Sequence, residues 1–193
     1  MATARHAIQA TRSGVLTAAL LSLLLFAGAA AAGSEQKLDI VVQQSGQAFI
    51  VDAAADVAVP VDTAWDVLTD FDHMTSILGN LTASRIIARN GNIWQVKQEG
   101  VAKYGPFSYS FESVREIRLE PMKRIVSKNL SGTVARMSSV AELVALSAGV
   151  QIRYHVELEP GSMLARMFGR TFVRHEVEEQ LQRMMREMIR RAA

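Results

Sequence analysis

SMLARMFGRTFVRHEVEEQLQRMMREMIRR, residues 162–191, is the most informative stretch of the chain. Within it Val173, Val177, Leu181, Met184 and Met188 recur at spacings of 4, 4, 3 and 4, which sets them on one face of a helix. Arg183, Arg186, Arg190 and Arg191 crowd the last turns, where cations offset the helix dipole. A long terminal helix with one apolar face needs a surface to bury it against. Leu164, Phe168 and Phe172 fall about half a turn from the stripe on a wheel of about 100° per residue. One straight helix cannot bury both faces against one sheet, so a kink or break is expected near Gly169. The short Met163–Phe168 part would then stand at a cavity mouth as a gate or membrane-touching edge, and the longer part would act as a clamp.

Working back from that helix, almost everything over 81–159 reads as strand. Leu81 to Arg89 leads into Asn90-Gly91, a strong two-residue hairpin signal. Ile93 to Tyr104 returns, and Gly105-Pro106 makes the next turn. Phe107 to Leu119 alternates, with Phe107, Tyr109 and Phe111 on one face and Ser108, Ser110 and Glu112 on the other. Lys123 to Leu130, Thr133 to Leu146 and Val150 to Leu158 complete the meander, and Ser131-Gly132 and Ala148-Gly149 supply turns. Before it, Lys37 to Val42 and Ala48 to Val59 read as strands joined at Ser45-Gly46. Pro60 ends the second of these, and Val61, Ala64, Trp65 and Leu68 mark a short amphipathic helix. Another helical turn follows over 71–78, closed by Gly79-Asn80.

Two stretches, Val59-Pro60-Val61-Asp62-Thr63-Ala64-Trp65-Asp66-Val67-Leu68-Thr69-Asp70-Phe71-Asp72 and Gly105-Pro106-Phe107-Ser108-Tyr109-Ser110-Phe111-Glu112, together with this order of elements, resemble the START-like (SRPBCC, helix-grip) superfamily. The likeness runs from about Ala48 to the C-terminus and is nearest the bacterial polyketide cyclase/dehydrase and lipid-transport branch, with the coenzyme Q-binding group nearby. It implies an α+β helix-grip fold of START/Bet v 1-like type. In that fold a curved antiparallel β-sheet wraps around a long C-terminal helix, and two short helices follow an N-terminal strand. A cavity for an apolar molecule between sheet and helix is implied as well. The motifs are structural, so they carry fold more firmly than function.

The first thirty-two residues read as a segment apart from this fold. Arg5 and Arg12 form a basic n-region, Val15 to Phe26 an apolar run of twelve, and Ala30-Ala31-Ala32 an A-x-A cleavage site. A cleaved signal peptide over 1–32 is expected, with export to the periplasm or medium and 33–193 as one folded domain. An uncleaved N-terminal membrane anchor is the alternative. Once Arg5 and Arg12 are removed, the remaining 19 basic and 19 acidic residues balance, so the pI near 9.1 is no nucleic-acid signature. The charge stays uneven, with seven Arg against four Glu from Gly161 onward. That end reads as a solvated helix face, with transient contact to anionic lipid headgroups as the alternative. There is no cysteine, which excludes disulfides, thiolate metal sites, thiol nucleophiles and a lipoprotein anchor. Oligomeric state is left open.

Few residues are arranged for chemistry. Asp70-Phe71-Asp72-His73 is the only compact carboxylate–imidazole cluster, and turn capping outweighs metal binding there. His155 has the parity opposite to Tyr154 and is expected to face solvent, as is His175. No nucleophile elbow, S-x-x-K, H-E-x-x-H or phosphate loop is present, so no cofactor, metal or catalytic residue is assigned. No basic groove accompanies the aromatic strand, so nucleic acid is discounted.

What remains is apolar lining. Trp94, Phe107, Tyr109, Phe111, Met137 and Tyr154 are candidates from the sheet, and Met163, Met167, Phe168 and Phe172, with Leu164, from the helix side. Nine methionines suit a surface that adapts to varied apolar shapes. The expected function is sequestration or transfer of a lipid or other hydrophobic small molecule in an internal cavity, with Tyr109 and Tyr154 as polar handles. The rival is a cyclase or dehydratase acting on a polyketide-like substrate, for which His155, Glu142 and Glu99 are the acid/base candidates.

Overall fold

Alternating apolar residues make the strands of the sheet, and their inward parity sets where the core lies. The computed structural model describes residues 36–105, 107–160 and 169–193. The strands are β1 (Lys37–Ser45), β2 (Ala48–Val57), β3 (Leu81–Asn90), β4 (Ile93–Tyr104), β5 (Phe107–Glu120), β6 (Arg124–Gly132), β7 (Arg136–Leu146) and β8 (Gly149–Glu159). They form one sheet in the order β1-β2-β8-β7-β6-β5-β4-β3, antiparallel at every step. This is the curved sheet of the START/Bet v 1 helix-grip fold. The chain crosses from β2 to the far edge through helix α1 (Val61–Thr69), a 3₁₀ turn (Phe71–His73) and α2 (Met74–Ile77).

The local reading of the sequence places these elements well. The hairpin after β3 is displaced by one residue: Asn90 pairs with Ile93, leaving Gly91-Asn92 as the loop. Gly91 takes φ 57°, a conformation glycine adopts without steric cost. The turn expected at Ser131-Gly132 is displaced as well, because β6 runs through Gly132 and β7 starts only at Arg136.

The terminal helix α3 spans Arg170–Ala192. Gly169 is extended at φ −93°, ψ −175°, so no helix runs straight through it. Met163, Leu164, Met167 and Phe168, and the gate expected there, lie outside the described residues. The buried stripe on α3 is Val173, Leu181, Met185 and Met188, with Val177 and Met184 half-buried. Met185 thus replaces Met184 in the stripe. The reason is that α3 packs on two surfaces at once, so its buried arc is wider than one row of a wheel.

Those two surfaces are separate apolar clusters. At the C-terminal end of α3, Met185 and Met188 join Ala64, Trp65, Leu68 and the inward residues of the sheet beneath α1. At its N-terminal end, Val173 and Leu181 join Ile40, Phe49, Val51, Ala53 and Val156 on β1, β2 and β8. Arg174 adds a hydrogen bond of 2.6 Å from its guanidinium to the Ile40 carbonyl. The last turn is tied down by Arg191, which donates to Asp70 at 2.7 Å and to Glu187 at 2.7 Å.

Candidate functional site

Held at both ends, α3 bridges open space over the middle of the sheet. Its Phe172, Glu176, Val177, Gln180, Leu181 and Met184, spread over about half of the helix circumference, form one wall of a cavity of about 320 Å³. The sheet forms the floor, and Leu68, Phe71, Met74 and Leu78 from the crossover helices close one end. A second space of about 130 Å³, wholly apolar, shares Ala102, Phe111, Val134, Leu158 and Phe172 with the first.

The floor is not uniformly apolar. Five successive strands contribute polar side chains to a belt across it: Gln98 from β4, Arg115 from β5, Ser127 from β6, Ser139 from β7 and Tyr154 from β8, with Glu112 and Ser113 of β5 also on the lining. Register sets them side by side, with Ser127 opposite Ser139 and Gln98 one step diagonal to Arg115. Gln98, Ser127 and Ser139 are 7%, 5% and 6% exposed. The Arg115 guanidinium donates to the Gln98 carbonyl oxygen; the Gln98 amide donates to Ser84 Oγ at 3.0 Å, and Ser84 donates to the Phe71 carbonyl at 2.6 Å. Among the described residues no carboxylate forms an ion pair with Arg115, and its Nε has no hydrogen-bond partner. Ser127 Oγ is likewise unpartnered. Burial pulls the Arg115 pKa below its ordinary value, opposed by the nearby Tyr154. Burial pushes Tyr154 up, opposed by a hydrogen bond with Ser139 and by Arg115.

Carboxylates reach the wall in two places. Glu176 on α3 accepts a hydrogen bond of 3.2 Å from Asn80, and its pKa is raised by burial. Glu112 is exposed. Gly100 shapes the wall from beneath: a Cβ there would press on the Asn80 carbonyl and on the Phe111 ring, so glycine lets that ring lie flat against β4.

Of the lining residues expected from sequence, Phe111, Met137, Tyr154 and Phe172 face the main cavity, and Tyr109 faces the smaller space. Trp94 lines neither. It sits at the β3–β4 hairpin end, edge-on to Phe71 at 6.2 Å, with Arg89 4.5 Å above its ring. The side chain of Phe107 and all of Met163, Met167 and Phe168 fall outside the described residues. Arg115, Gln98, Ser127, Ser139 and Glu176 were not singled out from sequence. For Arg115 a signal existed, since it shares the parity of Phe111, Ile117 and Leu119 and breaks their apolar run.

The acid/base candidates of the enzyme reading lie elsewhere. His155 bonds to Asp52 at 2.7 Å, Glu142 pairs with Arg124 at 3.5 Å, and Glu99 with Lys97 at 2.9 Å. None of the three lines the cavity. Asp70 and Asp72 cap no helix with their side chains. Asp70 instead holds His73 at 2.7 Å as well as Arg191, and Asp72 accepts the Ile86 N–H at 2.8 Å. The turn thereby fastens α3 on one side and β3 on the other, a tertiary role that local spacing does not reveal. No cluster of potential metal ligands occurs among the described residues.

A curved antiparallel sheet closed over a cavity by its terminal helix defines a helix-grip protein of the START/Bet v 1-like class. More particularly, the chain belongs to the polyketide cyclase / dehydrase and lipid transport family, whose model matches residues 57–185. No curated protein matches it in sequence. Among solved structures, the STAR-related lipid transfer protein from Xanthomonas axonopodis superposes with a TM-score of 0.67 at 13% identity, covering 81% of this chain and 98% of that one. The Zhui aromatase/cyclase from a Streptomyces species gives 0.60 at 18% identity, covering 75% and 93%. A START superfamily protein from Mycobacterium smegmatis gives 0.57 at 14% identity, covering 74% and 96%. At such identities these likenesses show the fold.

Proposed function

We propose that the protein is exported and binds a lipid or other hydrophobic small molecule inside this cavity, holding it away from water for storage or transfer. The observation that carries the reading is the space itself: about 320 Å³ with largely apolar walls, kept open because α3 is clamped beyond both of its ends. Each methylene buried there contributes about 0.8 kcal/mol, less the cost of association. The lipid transfer protein with the same fold supports the reading, and the leader-like 1–32 segment supports export. Native mass spectrometry with lipid extraction, on protein purified from the compartment to which it is exported, tests both parts. A reproducible co-purifying apolar molecule is expected. Persistent absence of any bound molecule, or retention of the protein in the cytoplasm, counts against the respective part.

One observation favours the cyclase reading: Glu176 is a cavity carboxylate whose pKa burial raises, as a general acid or base requires. An aromatase/cyclase, the Zhui protein, shares the fold and supports this second reading. Turnover of an aromatic polyketide analogue, abolished by Glu176→Gln, would establish it.

A further inference from the structure

The belt across the cavity floor asks for a charged partner. Arg115 is a half-buried cation on the cavity floor, with its Nε fully covered, and its polar contacts among the described residues are a hydrogen bond to the neutral Gln98 and proximity to Tyr154. Interior charges are normally paired, because a guanidinium taken out of water without a counter-charge loses several kcal/mol of hydration. Evolution of a merely apolar container would place an aliphatic residue at this position, which shares the parity of Ile117 and Leu119. Groups with capacity to spare stand here: among the described residues Arg115 Nε and Ser127 Oγ have no hydrogen-bond partner, and the Tyr154 hydroxyl lies close enough to feel the guanidinium.

The rest of the wall sets the shape of the ligand. On one side of the belt lie Ile117, Ile125 and Ile152; on the other lie Phe111, Met137 and Leu158, leading to the second apolar space. Arg115 is four residues from Phe111 along β5, about 13 Å at the rise of a strand. The two carboxylates on the wall do not neutralise Arg115. Glu112 is exposed, and Glu176 is occupied by Asn80 with its charged form disfavoured.

We propose that Arg115, with Gln98, Ser127 and Tyr154, is the head-group site for an amphiphile bearing one carboxylate on an unbranched or aromatic apolar tail. A monoanion matches Arg115, the cation on the cavity lining that has no ion pair among the described residues, and brings acceptors to its donors, whereas a phosphate dianion would leave one negative charge buried. The planar guanidinium suits a carboxylate geometrically as well. This assignment rests on the cavity-binding reading and narrows it to a ligand class.

The test uses lipid-stripped full-length protein and three probes of equal tail length: dodecanoate, dodecan-1-ol and dodecyl phosphate, titrated calorimetrically. Dodecanoate is expected to bind at least tenfold more tightly than the alcohol and more tightly than the phosphate. In Arg115→Met, checked for folding by its circular dichroism, the preference for acid over alcohol is expected to vanish while the alcohol still binds. Equal binding of acid and alcohol by the unaltered protein overturns the head-group site but leaves the cavity reading standing. So does tighter binding of the phosphate, or an acid preference that survives in folded Arg115→Met. Failure of all three probes to bind overturns both readings together.

Discussion

Replacing Arg115 by methionine should make the empty protein more stable, a direction opposite to that of most interior substitutions. Three contributions decide the sign. Removing a half-buried cation that has no counter-charge among the described residues relieves a desolvation penalty of a few kcal/mol, only part of which Gln98 offsets. Methionine adapts to the vacated space and keeps most of the apolar contact. Against this, the Gln98 carbonyl oxygen loses its donor in a side chain that is 7% exposed, at about 1–3 kcal/mol. The net expectation is a gain of about 1–2 kcal/mol, or about 2–8 °C in Tm for a chain of this size. Differential scanning calorimetry of lipid-stripped protein measures it. The double change Gln98→Met with Arg115→Met removes the orphaned oxygen and should gain about 1 kcal/mol more. Saturating dodecanoate should reverse the order, because a ligand at a hundred times its Kd adds about 2.7 kcal/mol to the protein that binds it. If Arg115→Met instead lowers Tm by several degrees and the double change does not restore it, the guanidinium is a structural support and the reasoning fails.

Three other outcomes follow from the framework around the cavity. Met188 is 0% exposed beneath α1, so Met188→Ala should cost about 2–5 kcal/mol and move the urea midpoint down accordingly. Glu187 is held down to about 2 by hydrogen bonds from Arg190 and, against the effect of burial, from Arg191. A carboxyl lowered in the folded state contributes stability above its usual 4.5, lost as pH falls toward about 2. Thermal melts should therefore show Glu187→Gln about 1–3 °C less stable near neutrality, the modest size reflecting solvent screening, and the difference should close in strong acid. Gly100→Ala should cost about 1–3 kcal/mol by overpacking and push the Phe111 ring from its place, visible as shifted aromatic resonances and weaker dodecanoate binding.

How far the residues themselves revealed this molecule varies with the kind of question. The strands and the crossover helices follow from alternation and from the 3.6-residue period, both of which depend on near neighbours, so their order was readable from β1 to α3. The break at Gly169 was readable for the same reason, since two apolar faces half a turn apart cannot share one straight helix. Phe111, Met137 and Tyr154 were found as cavity walls because inward parity in a strand is a local property, and Phe172 because an aromatic residue opening the helix faces the same space. Trp94 has an equally apolar side chain, yet the hairpin end carries it past the cavity to Phe71 and Arg89.

Only the folded sheet decided the rest. Gln98, Arg115, Ser127, Ser139 and Tyr154 are far apart in the chain and become neighbours through the register of five strands. Spacing does not disclose that no carboxylate among the described residues pairs with Arg115, because pairing depends on which charges the other strands deliver to the same face. The same holds for the cavity itself. Apolar residues on facing surfaces describe a filled core and an empty one equally well, and the difference lies in the gap that α3 spans between two packed clusters. Alternation and helical period were enough to imply a sheet gripping a terminal helix. The packing of that helix on two clusters is what leaves room in the grip, and strand register is what puts there a cation with no ion pair among the described residues.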